Sequence, residues 1–93
     1  MSNAVAQARY DRAVEELDRA RKLLRTYEDE IFQLGTTLAA VIDYAPRDAP
    51  HRKSTLVELI AERDRKADER EEVWRHYLRA MLDQSRAARE LEK

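Results

Sequence analysis

The stretch Tyr44-Ala45-Pro46-Arg47-Asp48-Ala49-Pro50-His51-Arg52-Lys53-Ser54-Thr55 decides the fold. Proline has no amide to donate and its ring clashes with the preceding turn, so Pro46 ends any helix that reaches it. On the far side, Thr55-Leu56-Val57-Glu58 has the form of a capping box. In that motif a hydroxyl accepts from one orphan amide and a glutamate three residues later reaches back. Asp48 with Pro50 close behind is an earlier possible start, which brackets the second helix between residues 49 and 55. The reading is a first helix over about 4–44, a turn over about 45–54 and a second helix over about 55–91, in one helical-hairpin domain covering 1–93. So short a connection sets the helices antiparallel and side by side.

Working outward, the first helix carries an unbroken seam. Tyr10, Ala13, Leu17, Ala20, Leu24, Tyr27, Ile31, Leu34, Leu38 and Val41 alternate spacings of three and four. That is a heptad pattern, with Tyr10, Leu17, Leu24, Ile31 and Leu38 at a and the others at d. Gly35, followed by Thr36 and Thr37, is the weak spot, because glycine costs about 1 kcal/mol relative to alanine inside a helix. The seam continues through it.

The second helix keeps the period with a different filling. Its a column reads Lys53, Ile60, Ala67, Trp74, Met81, Ala88, and its d column Leu56, Arg63, Arg70, Tyr77, Gln84, Leu91. The g column adds Leu59, Val73, Ala80 and Ala87, so the apolar stripe is broad at both ends. Between Glu62 and Glu72 only Ala67 is apolar, and the stripe is pinched there.

With the turn centred near residue 49, Leu38, Val41 and Ile42 meet Leu56, Leu59 and Ile60, while Tyr10, Val14 and Leu17 lie along Trp74, Met81 and Leu82. The pinched waist then faces Glu28, Asp29 and Glu30. Arg63 and Arg70 are expected to lay their alkyl stems over Leu34 and Tyr27 and send their guanidinium groups to that acidic run. Ile31, Phe32 and Leu34 are left with too little apolar cover. Covering one further large side chain stabilises by roughly 1.5–3 kcal/mol, so a second copy packed face to face into a four-helix bundle is expected. Tyr27, Ile31, Phe32, Leu34, Arg63, Arg70 and Trp74 are the expected self-association residues.

Composition narrows the function. The chain has 93 residues, 18 basic and 19 acidic side chains for a net charge of -1, and no cysteine. A disulfide framework, a thiolate zinc site and a thiol nucleophile are therefore excluded. No run is apolar enough to span a bilayer, and the first residues lack the pattern of a signal peptide, so no membrane association and a cytoplasmic address are expected. The near balance of charge gives no wholesale attraction to nucleic acid.

Candidate chemistry is sparse. Glu72 and His76 stand four apart and supply half a metal site, but no second pair completes it. Glu15-x-x-Asp18 and Glu69-x-x-Glu72 have the spacing by which small all-α nucleotide pyrophosphohydrolases hold magnesium, yet all four fall at outward heptad positions, whereas such ligands must converge. Arg47, His51, Arg52 and Lys53 form a basic turn able to touch phosphate or an acidic protein surface. No recognition helix with a tight turn accompanies them. Ser54 and Ser85 have no histidine within plausible reach for nucleophilic catalysis.

In size and outline the chain resembles the small secreted helical-hairpin proteins with a Trp-x-Gly turn, but its turn is Pro46 to Pro50 and Trp74 lies inside the second helix. Their tyrosine-plus-acid export signal is absent too, since Met81 follows Tyr77 at the fourth position. Outline alone does not transfer function. The expectation is an all-α, coiled-coil-like antiparallel hairpin, non-enzymatic and without cofactor or metal. It forms a homodimer and serves as an assembly or adaptor module for another protein. The alternatives are a nucleic-acid-associated accessory protein using the basic turn, and a carboxylate-magnesium nucleotide hydrolase.

Overall fold

The computed structural model describes residues 2–92, which fold as an all-α hairpin of two helices, α1 over Ser2–Tyr44 and α2 over Arg52–Glu92, with no strand among them. Met1 and Lys93, the ends of the expected 1–93 domain, lie outside the described residues. No helix among those described is long and apolar enough to cross a membrane.

The proline signals act as the residues dictate. α1 ends at Tyr44, one further bond joins the Ala45 amide to the Val41 carbonyl at 3.2 Å, and Pro46 follows. The connection is two successive tight turns, Ala49 amide to Pro46 carbonyl at 3.0 Å and Arg52 amide to Ala49 carbonyl at 3.2 Å. α2 then starts at Arg52, inside the 49–55 bracket but three residues before Thr55. The reason is His51, whose φ of 66° turns the chain directly into helix, so that its carbonyl accepts from the Thr55 amide at 2.9 Å. Thr55 is already helical and caps nothing. Ser54 instead donates its hydroxyl to the His51 carbonyl at 2.9 Å.

The chain groups into two compact units, Met1–Leu24 with Glu71–Lys93, and Arg25–Arg70. In the first, Ala6, Ala13, Leu17, Ala20 and Leu24 of α1 are buried together with Ala80 and Ala87 of α2. Val73, Tyr77, Gln84, Ala88 and Leu91 are half-buried beside them. Small residues dominate this core, which lets the backbones approach closely; Ala80, at 1% exposure, is the most enclosed residue. In the second unit Leu38 is buried, and Tyr27, Ile31, Leu34 and Val41 are half-buried with Leu56, Leu59, Arg63, Lys66 and Arg70.

The α1 seam is the one expected. The α2 seam is not. An enclosed row runs through Arg52, Leu56, Leu59, Arg63, Lys66, Arg70, Val73, Tyr77, Ala80, Gln84, Ala87 and Leu91, again alternating four and three, with Glu62, Glu69 and Ala88 half-buried beside it. Of the column expected at a, Lys53, Ile60, Ala67, Trp74 and Met81 are exposed and only Ala88 is half-buried. α2 is thus turned by one position, so that the expected d column pairs with the g column. Close approach at Ala80 and Ala87 selects small side chains over Trp74 and Met81. Ala67, the sole apolar residue of the waist, points outward, and the stems of Arg63, Lys66 and Arg70 cover the seam in its place.

Candidate functional site

Rotating α2 by one position gives the Arg25–Arg70 unit two unlike flanks. On one, the d side of the α1 seam is bordered by Glu30, Gln33 and Thr37, which share a shallow hollow with Glu62 and Lys66 of α2. Lys66 Nζ lies 2.8 Å from Glu30 and 5.6 Å from the centre of the Tyr27 ring, a cation placed over an aromatic face. The Tyr27 hydroxyl donates to Glu69 Oε2 at 2.9 Å, and Arg65 is held by Glu62 at 2.6 Å. The bond to Glu69 holds the Tyr27 phenol above its usual pKa, and the bond to Glu30 does the same for the Lys66 ammonium. This flank is a connected set of charge-assisted bonds, and such bonds are directional.

The opposite flank is the more apolar of the two. Past the a side of the α1 seam stand Phe32, Gly35, Ala39 and Ile42, at spacings of three, four and three. Phe32 is 75% exposed and Ile42 52%. On α2 the matching columns carry Lys53, Val57, Ile60, Asp64 and Ala67, all exposed, with Val57 at 58% and Ile60 at 41%, so two charged side chains interrupt the apolar ones there. Arg70 bonded to Glu28 at 2.8 Å closes one end of this face.

Each expected site residue has a definite place. Tyr27, Ile31 and Leu34 are half-buried on the seam, and Phe32 stands beside it on the apolar flank. Arg70 reaches the acidic run as expected, through Glu28, while Lys66 and not Arg63 takes Glu30. Trp74 belongs to the other unit; it stacks on Tyr77 with ring centres 5.4 Å apart, and Leu78 and Met81 follow it along the exposed face of α2. At the turn Arg47, His51 and Lys53 are exposed, but Arg52 is folded back: its Nη2 donates to the Ile42 carbonyl at 3.3 Å, and its Nε is shielded from solvent without a hydrogen-bond partner. A guanidinium there satisfies a carbonyl that the end of α1 leaves open.

No group of three or more His, Asp or Glu side chains among the described residues is placed to hold a metal ion. Asp18 is paired with Lys22 at 3.0 Å and Glu69 with the Tyr27 hydroxyl, so two of the four carboxylates in the hydrolase-like spacings are engaged elsewhere. The chain matches no family model, and no curated protein or solved structure is significantly similar to it.

Sequence reasoning missed Gly35, Ala39, Ile42, Val57 and Ile60 as members of one face. The signal was present in the spacing of Phe32, Gly35, Ala39 and Ile42, which repeats the seam's own rhythm one column over.

Proposed function

We propose that this protein is a non-enzymatic, self-associating helical hairpin that serves as an assembly or adaptor module. The observation that supports it is the unlikeness of the two flanks of the Arg25–Arg70 unit. One is laced with ion pairs, and the other exposes Phe32, Ile42, Val57 and Ile60 along one face. Scattered apolar residues are ordinary on a surface, but several in one patch opposite a charged flank mark an interaction face. Two hairpins joined there form a four-helix bundle, which covers on both copies what one copy leaves wet.

Phe32→Asp tests this. A carboxylate within the patch cannot be buried unpaired, and Phe32, at 75% exposure, contributes little to the hairpin's own packing. The variant is expected to keep the helical circular dichroism of the parent and sediment as a single chain where the parent sediments as two. A parent and variant of equal mass overturn the proposal.

A further inference from the structure

Gly35 has no explanation within one hairpin. Its φ is not positive, so no left-handed turn requires it, and a methyl group built at its Cα meets nothing within 4 Å. A glycine near the middle of the apolar flank lowers helix propensity and returns no packing within the chain. Close approach by something outside the chain gives it a use.

The order of residues along α1 says what that is. Phe32, Gly35, Ala39 and Ile42 run large, small, small, large, and a run of that form is complementary to itself when reversed. Resting on the self-association reading, we infer that two copies meet through this flank about a two-fold axis beside residue 37, with the two α1 helices antiparallel. Phe32 of each copy then lies against Ile42 of the other, and Gly35 against Ala39, where the small pair lets the helices come close. An isologous contact has this reciprocity: residue i meets j, and j meets i. The register within the hairpin adds an independent check. Glu30 pairs with Lys66 and Glu28 with Arg70, which sets Ile60 level with residue 37. Ile60 therefore falls at the axis and meets its own counterpart.

Area favours a second copy as the occupant. Phe32, Ile42, Val57 and Ile60 expose on the order of 400 Å² per copy, so two copies contribute roughly 800 Å² from these side chains alone. With the polar rim added, the contact reaches the roughly 1,000 Å² that separates specific interfaces from chance ones.

The chain has no cysteine, so single cysteines report the geometry cleanly. Ile60→Cys is expected to form a disulfide-linked two-chain species on mild oxidation, because a residue on the axis faces itself at a bridging distance. Val57→Cys, off the axis, is expected to stay single. Gly35→Leu raises helix propensity and its Cβ meets nothing within the chain, so it is expected to keep the hairpin and lose the dimer. Gln33→Leu, on the charged flank, is expected to keep both. If the unmodified chain is a dimer but Gly35→Leu remains one, or Ile60→Cys fails to cross-link, this geometry is wrong and self-association stands by another face. A monomeric unmodified chain overturns both.

Discussion

Tyr27 and Glu69 are joined across the two helices by a 2.9 Å hydrogen bond from the phenol to the carboxylate, with Lys66 lying over the same ring. The bond holds the phenol pKa above its ordinary 10.0, and the Glu30 contact holds Lys66 above 10.5. Both folded-state values are raised, so both groups contribute stability that is fully present below those ordinary values and is lost as pH rises through the folded ones. The hairpin is therefore expected to lose stability in the alkaline range, above about pH 10. Tyr27→Phe should flatten that loss, as read from urea midpoints against pH. An unchanged alkaline slope in Tyr27→Phe contradicts the assignment.

His51 holds a left-handed backbone at φ 66°, which costs a residue with a Cβ about 1–2 kcal/mol, less what glycine loses in chain freedom. His51→Gly is expected to stabilise the hairpin by about 0.5–1 kcal/mol, a rise of a few degrees in the thermal midpoint. His51→Val should lower it, since a β-branched residue tolerates this region poorly. Equal midpoints for the two variants would show that the turn does not need this conformation.

Arg52 is a turn cation with an internal duty. Removing its guanidinium in Arg52→Met takes the donor from the Ile42 carbonyl and is expected to cost about 0.5–1.5 kcal/mol, measured by denaturant titration. Lys53→Met, on an exposed neighbour, should stay within about 0.5 kcal/mol of the parent.

The rotation of α2 has its own test. Ala80→Leu adds three carbons at the most enclosed of the described residues and is expected to destabilise by about 1–3 kcal/mol. Ala67→Leu, in the column first read as seam, should change monomer stability little, because that side chain faces solvent. The opposite order of effects would restore the unrotated register.

That contrast also shows how far the residues alone could be read. The break at Pro46 and the α1 seam were legible because one column pair there is apolar without a break from Tyr10 to Val41. On α2 two adjacent columns are both apolar, one with Ile60, Trp74 and Met81, the other with Leu59, Val73, Ala80 and Ala87. Size favoured the first, and burial went to the second, since helices close over alanine. At the waist Arg70 lies on the seam and reaches Glu28 as its position implied, but Lys66, in the other column, is half-buried beside it and takes Glu30 in place of Arg63. The start of α2 turned on a positive φ at histidine, which residue type does not announce.

On this reading the flank bearing Phe32 and Ile42 is covered by a second copy. Sedimentation equilibrium of the unmodified chain over a concentration series addresses it most directly. The expected result is a species of twice the 11.0 kDa chain mass, dissociating on dilution to one. A mass of one chain across the whole series contradicts it.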